Sequence, residues 1–181
     1  RKELKTLDIF VENGNNVPTT GWARDDFNTI NDLFQRLQTG FILTVQQLGI
    51  IMSEQGFGSV ILVTDIHGLV GCDIHNYDNA PEMFDKAFSY EYGYIKGSYV
   101  NYTKQAAGFL GKYTARCNCL AYGPLEGNDP KAFGDAIIRH SHIKRLAQAD
   151  DVKAAAVFLA SDASSFITGQ TIAVDGGYTV K

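Results

Sequence analysis

Apolar residues along this chain follow two alternating rhythms. Residues 59–63 (Ser-Val-Ile-Leu-Val) are a short, nearly uninterrupted apolar run ending in Thr64-Asp65, the pattern of a strand covered on both faces. Residues 7–11, 115–120 and 171–174 read in the same way. Between the first two runs, Ile30, Leu33, Phe34, Leu37 and Phe41 recur at helical spacing, which predicts a long helix over residues 25–55. Gly56-Phe57-Gly58 stops it. Residues 84–113 predict a second long helix, with Tyr92, Lys96, Tyr99, Tyr102 or Thr103, Ala106 and Leu110 near one face. A third starts at Asp150-Asp151, where carboxylates suit the positive end of the helix dipole, and buries Val152, Ala155, Ala156 and Leu159. Residues 130–143 read as a mobile helical excursion, and residues 71–81 as a polar loop long enough to form a lid or rim.

Strands alternating with helices predict a single α/β domain over residues 1–181, a parallel sheet with helices on both faces. Ligands of such sheets bind beyond the carboxyl ends of the strands. The loops at residues 12–16 and 121–124 fall there, and so does Asp65.

Composition narrows the classes of function. A length of 181 residues, 45% hydrophobic and 20% charged, suits one well-buried core. A formal net charge of −4 argues against a nucleic-acid or anionic-membrane surface. No apolar run reaches bilayer-spanning length, and the N-terminus has no signal-peptide pattern. Cys72, Cys117 and Cys119 are an odd count without Cys-x-x-Cys spacing, which reads as reduced thiols and a cytoplasmic location. Cys117 and Cys119 alternate with Asn118 along the third apolar run, as small buried hydrophobes do. The chain begins Arg1-Lys2 without an initiator Met, which leaves room for residues upstream.

The chemistry concentrates at Tyr92-Gly93-Tyr94-Ile95-Lys96, where a phenol and an ammonium stand four residues apart on one helix face. A neighbouring Lys⁺ favours the tyrosinate and lowers the phenol's pKa, which suits it to proton transfer near neutral pH. Asp65, His67, Cys72, Asp73 and His75 are residue types that ligate metals, but their spacing fits no zinc pattern and no metal site is expected.

These residues sit in a context that resembles the short-chain dehydrogenase/reductase family over nearly the whole chain. Tyr92-x-x-x-Lys96 matches its active pair. Arg116-Cys117-Asn118 resembles its Arg-Val-Asn strand. The segments Phe158-Leu159-Ala160-Ser161-Asp162, Ile167-Thr168-Gly169-Gln170 and Val174-Asp175-Gly176-Gly177 resemble its C-terminal signature. The resemblance implies a Rossmann-like doubly wound parallel sheet corresponding to the C-terminal two-thirds of the family's domain. The first strands and the glycine-rich loop G-x-x-x-G-x-G are absent from these residues. Residues 7–11 would then form an exposed apolar edge, to be covered by a partner chain, an upstream segment or a dimer contact.

Several functional positions depart from the family pattern. Glu12-Asn13-Gly14-Asn15 stands where Asn-Asn-Ala-Gly is expected, so Asn13 alone matches an Asn, with Gly14 beside it. Leu37 takes the catalytic Asn position and Asp65 the catalytic Ser position. Tyr122-Gly123 replaces the Pro-Gly pair that meets nicotinamide. An ionised Asp65 accepts hydrogen bonds but cannot donate one, and its charge opposes that of Lys96 on the phenol. Thr64 could donate instead after a one-residue shift of the strand end, as could a protonated Asp65.

The resemblance implies an NAD(P)-dependent oxidoreductase of a small carbonyl or secondary alcohol, forming a homo-oligomer. Tyr92 and Lys96 would be catalytic, with Asp65 and Leu37 at the two altered positions. Asn13, Gly14, Tyr92, Lys96 and Gly123 would meet NAD or NADP. The departures support a second expectation, a catalytically inactive relative kept as a binding or scaffold subunit.

Overall fold

The computed structural model describes residues 5–14, 26–87, 90–127 and 129–180. Four parallel strands, β1 (Ile9–Glu12), β2 (Ser59–Asp65), β3 (Arg116–Tyr122) and β4 (Thr171–Val174), lie side by side in chain order. Helices α1 (Phe27–Phe34) and α2 (Gly40–Gln55) connect β1 to β2. Next come α3 (Pro81–Ala87) and α4 (Tyr90–Gly111) before β3, then α5 (Lys131–His140) and α6 (Ala149–Ala160) before β4.

The central apolar runs became strands because both faces of the sheet are covered at β2 and β3. On one face Val60, Leu62, Cys117 and Cys119 pack against Phe41, Val45 and Met52 of α2 and Ile95, Tyr99 and Leu110 of α4. On the other, Ile61, Val63 and Leu120 meet Leu159 of α6 with Val152, Ala155 and Ala156 beside it. A third cluster, Ile66, Tyr77, Ala80, Phe133, Ile137 and Tyr178, roofs the carboxyl ends of β2 and β3. Strand β1 is the edge of the described sheet. Phe10 packs inward, while Ile9 and Val11 are 48% and 45% exposed on the face where α6 does not reach.

Element boundaries differ from the sequence reading in three places. The helix expected over residues 25–55 begins at Phe27 behind an Asp26 cap, whose carboxylate accepts from Thr29 N at 2.9 Å. It runs to Gln55 but passes through a π-helical turn at Gln35–Thr39, a backbone choice that apolar spacing does not encode. The helix expected over residues 84–113 starts earlier, at Pro81, where a missing N–H costs nothing, and is described over Pro81–Ala87 and Tyr90–Gly111. The polar loop at residues 71–81 contains a 3₁₀ turn at Ile74–Tyr77, capped by Asp73.

The family-like motifs of the C-terminal third are a hydrogen-bonded scaffold. The Arg116 guanidinium donates to Leu159 O (3.0 Å), Ser164 Oγ (2.8 Å) and Ser161 O (3.2 Å). The Asn118 amide donates to Ile167 O at 2.8 Å and accepts from Gln170 N at 3.1 Å. The Asp175 carboxylate accepts from Gly177 N and Thr179 N, both at 2.9 Å, and closes a turn in which Gly176 and Gly177 have φ of 63° and 79°. Residues with a Cβ resist that left-handed backbone.

Candidate active site

The site is assembled where β2 ends against the first turns of α4. Strand β2 delivers Asp65 in register with Tyr122 of β3, and a 3₁₀ turn at Ile66–Gly68 follows at once. Gly68 lets this turn close on α4. A Cβ there would stand 2.6 Å from Thr64 Oγ1 and 2.7 Å from Lys96 O.

Tyr92 and Lys96 converge on Asp65. The Tyr92 hydroxyl donates to Asp65 Oδ2, and Lys96 Nζ lies 4.0 Å from the same oxygen and 5.5 Å from the Tyr92 ring centre. The other carboxylate oxygen accepts from His67 N at 2.9 Å and faces His67 Nδ1 at 3.5 Å. His67 sets its ring edge-on to Tyr92, with centres 5.7 Å apart. Asp65 is thus the hub of a cluster holding one phenol, one ammonium and one imidazole.

The electrostatics follow from that hub. Burial alone would raise the Asp65 pKa, but His67, Tyr92 and Lys96 outweigh it and hold the carboxyl below its ordinary value. Burial, followed by the Asp65 charge, drives the Tyr92 phenol well above its usual range. The sequence-level expectation that Lys96 lowers this pKa is therefore overturned: Lys96 is itself depressed, first by burial, and Asp65 intervenes. Burial alone would depress the His67 imidazole, yet Asp65 and then Cys72 reverse this and raise it to about 9. At neutral pH the cluster holds a carboxylate, an imidazolium and a neutral phenol.

Both alternative donors are closed off. Thr64 is fully buried, and its hydroxyl donates to Lys96 O at 2.9 Å. A protonated Asp65 is excluded by the downward direction of its pKa.

The remaining candidates lie around this hub. Leu37 is in the π-helical turn and packs, half-buried, against the core that contains Ile95 and Tyr99, with no polar group to offer. Its neighbour Gln38 meets Ser98 Oγ at 3.0 Å. That hydroxyl has one hydrogen, already directed at Ile95 O 2.7 Å away, and Gln38 Nε2 is buried without a partner. Turning the Gln38 amide over lets Nε2 donate to Ser98 and settles both. Asn13 and Gly14 are exposed just past the carboxyl end of β1, where Gly14 N donates to Glu12 Oε1 at 2.9 Å. Gly123 is buried at the end of β3, with its N–H on Val174 O at 3.1 Å.

Sequence reasoning passed over His67 as an ordinary loop residue. The available signal was an Asp two positions earlier, the same Asp-x-His cap that recurs at Asp73 and His75. Among the described residues no group of three or more His, Cys, Asp or Glu side chains could hold a metal ion. The thiols of Cys117 and Cys119 are raised to about 12 and about 11 by burial and are chemically quiet.

A parallel sheet covered by helices, with a Tyr-x-x-x-Lys helix at the carboxyl end of its second described strand, defines a Rossmann-like α/β fold. A family model described as enoyl-(acyl carrier protein) reductase matches residues 1–179, and the chain belongs to the short-chain dehydrogenase/reductase family. It is 35% identical over 182 residues to the cis-4-hydroxycyclohexanecarboxylate dehydrogenase of Sinomonas cyclohexanicum, covering 98% of this chain and 68% of the relative. A short-chain dehydrogenase from Leptospira borgpetersenii, solved with NAD⁺, superposes with a TM-score of 0.84 at 23% identity, covering 95% of this chain and 65% of the other. The gluconate 5-dehydrogenase of Burkholderia cenocepacia, solved with NADP and tartrate, gives a TM-score of 0.79 at 26% identity, covering 99% and 68%. The chain spans 53% to 67% of the length of three further curated relatives. Among the described residues, no helix is long and apolar enough to cross a membrane.

Proposed function

We propose that this chain carries the chemical end of an NAD(P)-dependent oxidoreductase of a small carbonyl or secondary alcohol, with its proton chemistry altered by Asp65. The observation that supports the reading is the convergence of Tyr92 and Lys96 on the carboxyl end of β2. Asn13 and Gly14 beyond β1, Gly123 beyond β3, and Tyr92 and Lys96 on α4 at the end of β2 would meet a nicotinamide riboside. Lys96 would hold the ribose hydroxyls, and Gly123 would present backbone to the carboxamide. When bound, NAD or NADP supplies or accepts the hydride. Tyr92 and Asp65 set the polar end of the substrate pocket, and the roof formed by Ile66, Tyr77, Phe133 and Ile137 shields it without sealing it. The reading carries a cytoplasmic location and association of this chain with its own copies. Exposed Ile50 and Phe109, on α2 and α4, are apolar surface suited to that association.

One observation favours a second reading, an inactive binding or scaffold subunit. Asp65 takes the hydrogen that Tyr92 would give to a substrate, and brings no donor of its own. Fluorescence titration with NADH and NADPH, followed by turnover with 2,3-butanedione, separates the two. Saturable binding with turnover supports the oxidoreductase. Binding without turnover selects the inactive relative, and no binding at millimolar concentration sinks the oxidoreductase reading for this chain.

A further inference from the structure

The cluster around Asp65 holds one group that has no place in the Tyr-Lys pair and whose charge is favoured first by that pair's altered neighbour. His67 follows Asp65 by two residues in a tight 3₁₀ turn. Its backbone N–H is pinned to Asp65 Oδ1 at 2.9 Å, and its Nδ1 faces the same oxygen at 3.5 Å. The imidazole side chain is 19% exposed and the carboxylate 14%, so the pair is shielded but not sealed. Tyr92 closes one side of the ring. Asp65 from β2 and Cys72 from the following loop act on His67, Tyr92 of α4 packs edge-on to its ring, Lys96 of α4 lies against the Asp65 carboxylate, and Tyr77 and Tyr122 lie near Tyr92. Asp65 supplies the carboxylate charge that favours an imidazolium, and Cys72 adds to it.

We propose that His67, oriented by Asp65, is the group that delivers the proton to the substrate oxygen, and that Asp65 is a positioning residue for it. This rests on the oxidoreductase reading above. Reduction of a ketone places a hydride, from a reduced nicotinamide, on the carbonyl carbon and one proton on its oxygen. His67 gives that proton from Nε2 while Nδ1–H stays directed at Asp65, leaving a neutral imidazole that solvent reprotonates. Asp65 remains ionised throughout, as an orienting carboxylate does in an Asp-His pair.

The competition with Tyr92 is decided by geometry, since the phenol gives its hydrogen to Asp65 Oδ2, and proton affinity points the same way. A general acid works best with a pKa near the working pH. The imidazolium, at about 9, is far closer to it than the phenol, which Asp65 and burial hold well above its ordinary value. At pH 7 His67 is then predominantly in the acid form. The pair therefore suits reduction more than alcohol oxidation, which needs the neutral imidazole. The Cys72 thiol flanks the ring and is a weak acceptor that a carbonyl oxygen can displace.

The test joins a titration independent of turnover with a kinetic profile. The four histidines are followed by NMR in the full chain, and His67 is assigned by its loss in His67→Gln. Titration near 9, falling by a unit or more in Asp65→Asn, is the expected result. Reduction of 2,3-butanedione by NADPH or NADH should fall above about pH 9. His67→Gln should remove that limb and lower kcat by about 10²- to 10⁴-fold without a matching rise in KM, whereas Tyr92→Phe should keep the limb. Far-UV circular dichroism of each variant confirms that it folds. Titration of His67 below 7.5 with intact dinucleotide binding overturns this proposal alone. So does a high-pH limb that disappears in Tyr92→Phe and persists in His67→Gln. Absence of dinucleotide binding overturns the oxidoreductase reading, and the proton's destination with it.

Discussion

Replacing Asp65 by Ser tests how far a single carboxylate controls the active pair. The magnitude follows from the geometry. Lys96 Nζ lies 4.0 Å from Asp65 Oδ2 in a shielded site, and unit charges at that separation interact by about 4 kcal/mol at an effective permittivity near 20. The oxygen of Tyr92 is closer still to the carboxylate, so tyrosinate formation is opposed by at least a comparable energy while Asp65 is charged. Asp65→Ser removes that opposition, leaves Lys96 acting alone on the phenol, and adds a hydroxyl that donates to the substrate oxygen. A restored transition-state donor is worth on the order of 10²–10³-fold in rate. The dinucleotide-dependent reduction of 2,3-butanedione at pH 7 should therefore rise by about 10²-fold or more. The proton route should pass from His67 to Tyr92, so that Tyr92→Phe, mild in the parent, becomes severe in the Ser variant. Adding Leu37→Asn should raise the rate again by giving the π-helical turn a polar side chain. The direct readout is the tyrosinate absorbance of Asp65→Ser against Asp65→Ser/Tyr92→Phe over a pH series. If Tyr92 ionises no more readily without the carboxylate, the electrostatic account of this site is wrong.

Three further predictions follow from other parts of the structure. The His67 imidazole is raised from 6.5 to about 9 on folding, so its contribution to stability is complete below about pH 6.5 and is lost as pH climbs through 9. Urea midpoints should fall over that window by the equivalent of roughly 3 kcal/mol, a loss largely absent in His67→Gln; a parent as pH-insensitive as that variant would contradict it. Arg116→Lys replaces a fork that reaches Leu159 O, Ser161 O and Ser164 Oγ with a point donor and should cost about 1–3 kcal/mol, read by urea unfolding, with dinucleotide affinity unchanged. Thr64→Val removes the donor to Lys96 O while keeping the volume and should cost about 1–3 kcal/mol. If it leaves both the thermal midpoint and the NMR signals of the Gly68 turn unmoved, the anchoring of that turn to α4 is incorrectly described.

What could be read from the sequence, and what could not, divides along a physical line. Strands β2 and β3 were legible because burial on both faces demands unbroken apolar runs, and only such runs satisfy a sheet packed between α2, α4 and α6. The C-terminal motifs were legible for a related reason. Arg116, Asn118 and Asp175 each satisfy several backbone groups at once, so a change at any one would strand buried polar atoms. These residues identify the family yet touch none of the reacting groups, which is why a close match there coexists with an altered site. The π-helical turn at Gln35–Thr39 was invisible because a one-residue change in hydrogen-bond step leaves apolar spacing almost untouched. His67 was invisible for a different reason. Its charge state depends on a residue two positions away and on the depth at which α4 buries both, and neither sequence position carries that information alone. Read one position at a time, Asp65 is only a missing hydroxyl. In the fold it is a buried anion, and a buried anion favours the protonated form of a base beside it. The base within reach is His67, so the substitution that weakens Tyr92 as an acid creates another beside it.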